Sequence, residues 1–325
     1  MKEPGNLILS RRGFMSVGAG MAAATLFSRN AISQGTSKPN SNFGGVQIGV
    51  ITYSYRGMPG TAEDLLKYIV QCGISSIELM GEPVEQYAGI PSSGGPGPGG
   101  RRGQMTDEQR KAMQQRREET LKWRLSVSMD KYQALRKMYN DAGVNIHIVK
   151  FGNIGDANMS DDEIEYYFKV AKALGAQGIT RELSEDAAKR LGPIADKHNI
   201  IIGLHNHTQI TPTTYDGSIL SYGKNLGINF DVGHYVAGTN ESPIPFLQKH
   251  HDRILNLHVK DRKINNGANL PFGEGDTQVA AILQLMKKEH WTFPADIELE
   301  YPVPAGSDAI TEVTKCVQFC REALA

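Results

Sequence analysis

The chain has 325 residues, with 35 Lys and Arg against 35 Asp and Glu, 9 His, 3 Cys and 40% hydrophobic residues. This ordinary composition excludes a chain disordered throughout, a coiled coil, a collagen and a disulfide scaffold. The zero formal charge argues against a nucleic-acid-binding protein, which normally carries a basic excess or stripe. The length fits either two ordinary domains or one (β/α)8 barrel.

The first 33 residues are typical of an export signal. Arg11 and Arg12 precede a short apolar run from Val17 to Phe27, and Ala31-Ile32-Ser33 is a small-x-small cleavage pattern. Paired arginines before such a run resemble a twin-arginine signal peptide, and the run is too short for a stable membrane anchor. We therefore expect a periplasmic or secreted protein without an anchor after cleavage, whose precursor has the export machinery as its partner. Removal of 1–33 leaves 31 basic against 34 acidic residues, a net charge near −3.

Residues 34–44 are polar and predict a linker, so the fold is expected to occupy 45–325. Eight short β-branched runs alternate there with segments of helical apolar spacing, which predicts parallel strands joined by crossover helices. Eight such units close a barrel, so the predicted fold is a single-domain (β/α)8 TIM barrel. The predicted strands are 46–52, 76–80, 145–150, 177–180, 200–205, 227–231, 254–258 and 296–300.

Glycine recurs where a predicted helix meets the next strand. The positions are Gly73, Gly143, Gly175 and Gly227. At the end of a helix, glycine adopts the left-handed conformation without steric strain, so these residues predict helix caps.

The interval between the second and third strands is about 65 residues, the longest in the chain. It contains a Gly/Pro-rich stretch over 90–104, which predicts a flexible insertion, and a charged helical pattern from Thr106 to about Asn140 with a capping box at Thr106–Gln109. A loop after a barrel strand lies on the active face, where it is either a lid or an insertion without function.

The three cysteines predict buried thiols. Cys72, Cys316 and Cys320 are too few for a disulfide framework even in an oxidising compartment. The chain has no Cys-x-x-Cys motif, so a zinc ribbon is excluded.

Ionisable side chains are concentrated at the carboxyl ends of the predicted strands, where barrel enzymes hold their catalytic groups. Because residues two apart on a strand face the same side, His205 shares a wall with His207. Imidazoles and carboxylates from four strands predict one divalent metal ion, with Mn²⁺, Co²⁺, Zn²⁺ or Fe²⁺ suited to the ligands and Mg²⁺ also open. The polar residues from strand three onward are Lys150, Arg181, Glu182, His205, His207, Asp231, His234, His258, Lys260, Asp261, Glu298 and Glu300.

Five short motifs follow one another along the second half of the chain. They are Leu204-His-Asn-His207, Asn229-Phe-Asp-Val-Gly-His234, His258-Val-Lys-Asp261, Phe272-Gly-Glu-Gly-Asp276 and Ile297-Glu-Leu-Glu300. In this order they resemble the sugar phosphate isomerase/epimerase family with the xylose-isomerase-like TIM barrel, over about residues 46–323. The resemblance implies a metal held by a residue at the end of strand five and by Asp231, His258 and Glu298, with His234 and Lys260 nearby.

These observations assign a role to each candidate residue. The predicted metal ligands are His207, Asp231, His258 and Glu298, with His205 as the alternative on strand five. The predicted catalytic residues are Glu298, His205 and Lys260. The predicted substrate-binding residues are His234, Lys150, Glu182, Glu300 and Glu274.

The strand-five motif departs from that of many epimerases in the family, which have Glu-Asn-His where this chain has His205-Asn206-His207. In those epimerases two glutamates, on strands five and eight, transfer protons on opposite faces of an enediolate. The His-Asn-His variant resembles inosose dehydratases and enzymes acting on 3-keto sugars or glycosides. The predicted function is a metal-dependent isomerase or epimerase that removes a proton α to the carbonyl of a sugar or keto-sugar, and a lyase or dehydratase on the same site is the alternative.

Two other classes compete with this prediction. An endonuclease-like hydrolase shares this barrel, but the charge near −3 and the export signal argue against it. A non-catalytic sugar-binding protein would lack the ligands at the strand ends. The expected partner is a small sugar or glycoside and not a nucleic acid, while the oligomeric state, including a homo-oligomer, stays open.

Overall fold

Eight parallel strands form a closed barrel in the computed structural model, which describes residues 38–91 and 106–325. Each strand pairs in parallel with the next, and β8 pairs with β1, so the predicted TIM barrel is confirmed. The last strand is shorter than predicted and ends at Ile297 instead of Glu300. The strands are β1 (Val46–Ile51), β2 (Ser76–Met80), β3 (Asn145–Lys150), β4 (Gly178–Glu182), β5 (Ile201–His205), β6 (Leu226–Asp231), β7 (Ile254–Val259) and β8 (Ala295–Ile297).

Helices connect most of the strands and bury one apolar face each against the barrel. In α5, for example, Ile164, Phe168 and Ala171 recur at helical spacing and are all buried. Within the described ranges, no helix has the length and apolar character needed to cross a membrane. The helices are α1 (Ala62–Gln71), α2 (Gly81–Ala88), α3 (Asp107–Ser126), α4 (Asp130–Asp141), α5 (Asp161–Leu174), α6 (Glu185–His198), α7 (Val232–Thr239), α8 (Ile244–His250), α9 (Val279–Glu289) and α10 (Ala309–Ala323).

The connection from β5 to β6 differs from the predicted alternation, because it contains a 3-10 turn at Ser218–Leu220 and no α-helix. Residues 206–225 include a Thr-Pro-Thr-Thr segment at 211–214 and Gly217. Threonine, proline and glycine favour turns over a helix interior. The prediction of a helix after every strand is therefore wrong at this connection.

The predicted glycine caps are confirmed at three of four positions. Gly73, Gly143 and Gly175 have φ angles of 73°, 83° and 74°, in the left-handed region. Gly227 instead lies inside β6. A Cβ at Gly227 would be 2.9 Å from the Ile201 side chain and 3.0 Å from a backbone carbonyl, so close packing between strands explains this glycine.

Two predicted segments lie largely outside the described residues: the signal peptide 1–33 and the insertion 90–104. The end of the predicted linker 34–44 is described, and there Asn42–Phe43 pairs antiparallel with the start of β1. The Ser41 hydroxyl also donates a hydrogen bond to the carbonyl of Ile48, at 2.6 Å. This part of the linker packs against the barrel.

The prediction of buried thiols is confirmed. Cys72, Cys316 and Cys320 are unpaired and buried. Burial raises the pKa of the Cys316 thiol to about 12.

Helix α3 is anchored by one partly buried arginine. None of its 20 residues is buried, although the predicted capping box at Thr106 and Gln109 is confirmed. Near its end, Arg124 donates two hydrogen bonds to Glu85 of α2, at 2.7 and 2.9 Å, and one to Glu163 of α5, at 2.5 Å. These ion pairs hold α3 across the barrel mouth.

Replacing Arg124 with Met should lower the free energy of unfolding by about 3 kcal/mol, because Glu85 would stay buried without its cation. Urea denaturation measures this change. Arg110→Met is the matched control, since Arg110 pairs with the exposed Asp107 and should change stability by less than about 1 kcal/mol. Equal small losses in both variants would show that Arg124 does not anchor α3.

Candidate active site

Four strands bring imidazole and carboxylate groups together at the carboxyl end of the barrel. His205 ends β5, Asp231 ends β6, His258 lies in β7, and Glu298 follows β8. Asp231 and His258 are direct neighbours in the parallel register. Potential ligand atoms of His205, Asp231 and His258 lie within 4.8 Å of one another. Glu298 joins them, with its Oε2 at 3.0 Å from Nδ1 of His258.

His205 is oriented by an amide on the neighbouring strand. Its Nδ1 lies 2.5 Å from Oδ1 of Asn229, which only accepts hydrogen bonds, so Nδ1 carries the proton. Burial lowers the pKa of His205 well below its ordinary value. The imidazole is therefore neutral, with the lone pair of Nε2 available.

His258 lies between two carboxylates inside the barrel. Its Nε2 is 2.8 Å from Oε2 of Glu78, and its Nδ1 faces Glu298. Burial opposes a charged imidazole, but Glu78 and Glu298 together raise the pKa of His258 to about 10. The reciprocal attraction outweighs burial at Glu78 and lowers its pKa to about 2. Since Glu78 occupies Nε2, only Nδ1 is directed toward the strand ends.

Lys260 places a buried ammonium among three carboxylates. Its Nζ lies 2.8 Å from Asp231, 2.7 Å from Glu298 and 2.6 Å from Glu300. Burial opposes this charge, but Asp231 and the two glutamates raise the pKa of Lys260 above its ordinary value. Three carboxylates against one ammonium leave this centre attractive to a further cation.

Three buried atoms at this centre have no hydrogen bond of good geometry within the described residues: Oδ2 of Asp231, Nδ1 of His258 and Oε2 of Glu298. Nδ1 of His258 and Oε2 of Glu298 are 3.0 Å apart, and Nζ of Lys260 lies 2.8 Å from Oδ2 of Asp231 and 2.7 Å from Oε2 of Glu298. The angles of these contacts are unfavourable for hydrogen bonds. Buried polar atoms without a well-oriented hydrogen bond are rare, and a bound ion is one explanation for them. These atoms, together with Nε2 of His205, could hold a metal.

Asp231 both caps helix α7 and contributes a carboxylate oxygen to the cluster at the strand ends. Its Oδ1 accepts a hydrogen bond from the backbone N–H of His234, at 2.7 Å, which caps α7, while its Oδ2 faces Lys260. This cap places His234 in the first turn of α7, where its ring contacts two cations. Its Nδ1 lies 2.7 Å from Nη1 of Arg262, and its Nε2 lies 3.3 Å from Nζ of Lys260. Arg262 and Lys260 both only donate, and burial lowers the pKa of His234, so the neutral ring accepts a hydrogen bond from one of these cations and not from both.

A second, more exposed pair lies at the rim. Nε2 of His207 is 2.7 Å from Oε2 of Glu182, and Oε1 of Glu182 is 3.1 Å from Nζ of Lys150. The hydrogen bond from Glu182 raises the pKa of His207. His207 remains close to the cluster, because its ring lies 4.8 Å from that of His205 and 4.9 Å from that of His234.

Glu274 lies apart from the other predicted site residues. It is on an exposed turn that Asp261 organises by accepting hydrogen bonds from the N–H groups of Gly273, Gly275 and Thr277. Its side chain makes no hydrogen bond or ion pair with the described residues.

Sequence reasoning assigned no role to four residues that orient the cluster. Glu78 and Asn229 hold His258 and His205. Asn206 bonds both backbone groups of Asp231, and Asn256 donates to Glu78 at 2.9 Å. One signal was present, since Asn229 and Asn256 stand two positions before Asp231 and His258 and so face the same side.

Comparison with known proteins supports the architecture. Residues 111–320 match the family described as xylose isomerase-like TIM barrel. An uncharacterised protein of Methanocaldococcus jannaschii is 31% identical over 105 residues, which are 29% of this chain and 35% of that protein. The match thus spans about a third of the relative's length.

Two solved structures share this fold. The probable 3-DHS dehydratase AsbF from Bacillus anthracis has 14% identity and a TM-score of 0.58, over 84% of this chain and 98% of that chain. An L-ribulose 3-epimerase has 11% identity and a TM-score of 0.56, over 86% of this chain and 94% of that chain. At such identities the likeness establishes the fold alone.

Replacing Lys260 with Met should destabilise the metal-stripped protein by about 3 kcal/mol or more, because three carboxylates would lose their buried cation. Chemical denaturation in EDTA measures the loss. Lys263→Met, which removes a half-exposed ion pair with Asp276, should lose less than about 1 kcal/mol. If both variants were equally stable, the Lys260 ammonium would not compensate the charge of the three carboxylates.

Proposed function

The chain belongs to the xylose isomerase-like TIM barrel family, and we propose that it is a metal-dependent enzyme that isomerises or epimerises a sugar or keto-sugar. The observation that carries this proposal is a set of buried atoms on Asp231, His258 and Glu298 that lie in ion pairs with one another or with Lys260 but make no hydrogen bond of good geometry. A metal ion would satisfy all three at once. Two imidazoles and two carboxylates suit Mn²⁺, Co²⁺, Zn²⁺ or Fe²⁺.

We take His205 as the fourth ligand in preference to His207, the residue favoured by sequence. His205 is buried, neutral and fixed by Asn229 with Nε2 free. The Nε2 atom of His207 is engaged by Glu182 instead. The ligands would be His205, Asp231, His258 and Glu298. Glu78 would orient His258 from behind, as carboxylates do for histidine ligands in metalloenzymes.

The proposed chemistry is removal of a proton from the carbon next to a carbonyl. A bound divalent cation would polarise that carbonyl and stabilise the negative charge that develops. Glu298 is the candidate base, because Lys260 and His258 keep its pKa well below the ordinary value, so it is ionised. His234 lies beside Lys260 and is a candidate to contact a substrate oxygen there.

His207, at the rim, is the candidate for a second proton carrier. The Glu182 hydrogen bond raises the pKa of His207, which favours the protonated imidazole near the cluster. Return of a proton from His207 to the carbon would complete an epimerisation, while protonation of a leaving group would complete an elimination. The presence of two imidazoles and no carboxylate at the end of β5 supports the lyase or dehydratase as the second candidate.

We further propose that the protein acts outside the cytoplasm on a free sugar or glycoside. The twin-arginine pattern supports export, and the charge of the chain after removal of 1–33 gives no basic excess for a polyanion. Western blotting of periplasmic fractions, with Arg11→Lys/Arg12→Lys as the control, would test the location.

Metal affinity should distinguish the role of His205, the last residue of β5, from that of His207, two residues later. We expect His205→Ala to lower the affinity for Mn²⁺ or Co²⁺ by about 100-fold or more through loss of a ligand, while His207→Ala changes it by less than about tenfold, because its imidazole is not a ligand. Isothermal titration calorimetry on EDTA-treated protein measures both affinities. The reverse order would restore His207 as the ligand, and no binding by the unmodified protein would reject the metal site.

Hydrogen exchange should reveal the reaction. Metal-loaded protein in D₂O should exchange the proton α to the carbonyl of a ketose or a 3-keto glycoside, and Glu298→Gln should slow exchange by about 10²-fold or more at saturating metal. NMR follows the exchange and shows whether a leaving group departs. Glu289→Gln, an exposed glutamate of α9, is the control. The absence of exchange with every compound would favour a non-catalytic sugar-binding protein.

A further inference from the structure

A large cleft lies beside the candidate active site, between the ends of β2 and β3 and the helices α2 and α3. Its volume is about 740 Å³. Clefts of roughly 300–1,000 Å³ hold ligands of drug size, so there is room for more than one monosaccharide ring. Residues on its walls include Glu82, Gln86, Thr120, Phe151 and Asn153.

The cleft reaches the reacting centre through Lys150 and Gly152, which line it. Nζ of Lys150 is 3.1 Å from Glu182, whose other oxygen binds His207. A Cβ added at Gly152 would lie 3.9 Å from Oε1 of Glu182. A molecule with one ring at the metal ligands would therefore extend past Glu182 into the cleft.

Helix α3 forms one wall of this cleft, and its attachment to the barrel is explained by that position. The helix buries no residue, so it adds little to the core. Arg124 nevertheless fixes it rigidly to α2 and α5 through Glu85 and Glu163. Thr120 and Arg124, one turn apart, both face the cleft. Holding the cleft wall in place accounts for a buried ion-pair cluster on an otherwise exposed helix.

The chemistry of the walls suits a neutral polyhydroxylated ring. The rings of Phe151 and Tyr167 pack at 4.3 Å and form an apolar floor. Gln86 and Asn153 provide amides at the rim, with Gln86 bonded to Glu82 at 3.1 Å. Lys150 and Arg124 are already paired with carboxylates. Among the described wall residues no cation is left over for a phosphate.

We propose that this cleft binds a second sugar ring, joined through a glycosidic bond to the ring that reacts at the metal centre. The inference rests on the proposed function and specifies its substrate class as a disaccharide-sized glycoside. Substitutions in the cleft should therefore affect the longer substrate and spare the single ring.

Thr120→Trp and Asn153→Trp test the cleft from two walls, since both side chains lie away from the core. With metal-loaded enzyme, we expect each variant to raise the KM for 3-keto-cellobiose about tenfold or more and to leave kcat/KM for 3-keto-glucose within about twofold. Thr292→Trp is the matched control, because Thr292 is exposed and lines a separate cleft of about 360 Å³ at the amino ends of β5 and β7, away from the active site. It should change neither substrate by more than about twofold.

The outcomes separate this proposal from the function on which it rests. Equal effects on both substrates, no effect on either, or a selective effect of Thr292→Trp would overturn the subsite. If the unmodified enzyme turns over neither compound, the proposed function fails, and calorimetry with cellobiose, lactose and trehalose decides the subsite alone. Binding that Thr120→Trp abolishes and Thr292→Trp preserves supports the subsite, while no binding of any of the three sugars up to about 10 mM rejects it.

Discussion

His258 is held between Glu78 and Glu298, and the arrangement of the whole site depends on this contact. A charged or polar group inside a barrel is tolerated only when its partners satisfy it. Glu78 takes one nitrogen of the ring and is itself supported by Thr180, Asn229 and Asn256. The other nitrogen is left facing the strand ends. The interior network thus determines the direction in which the imidazole acts, before any ligand binds.

The balance of charge extends this constraint to the mouth of the barrel. Lys260 neutralises only part of the field of Asp231, Glu298 and Glu300. The excess of carboxylates therefore makes this centre attractive to a further cation. Beside it the inserted helix α3, fixed by Arg124, forms one wall of a cleft. Rigid strands hold the chemistry, while the insertion shapes the space that a substrate can occupy.

Much of the fold could be predicted because barrel strands and their helices leave strong local patterns. The β-branched runs from Val46 to Ile297 were placed within a few residues, and the helical pattern predicted from Thr106 to about Asn140 is divided in the structure into α3 and α4. The failures have local causes. Residues 206–225 are rich in turn-forming residues and contain no α-helix. The prediction missed this because it extended the regular alternation of strands and helices through them. Gly227 was assigned to a helix cap, because the sequence does not distinguish a glycine required for close strand packing from one required for a left-handed turn.

The sequence by itself determined the barrel, its inserted segment, and the strand ends that carry His205, Asp231, His258 and Glu298, because all of these follow from periodicity and order along the chain. Only the tertiary structure decided how these side chains are used. The hydrogen bond of Asn229 to His205 and the pairing of Glu182 with His207 join residues that are 24 and 25 positions apart. Arg124 meets Glu85 across 39 positions. Such contacts depend on the register of closed strands and on which neighbour satisfies each buried atom, and no local pattern encodes either.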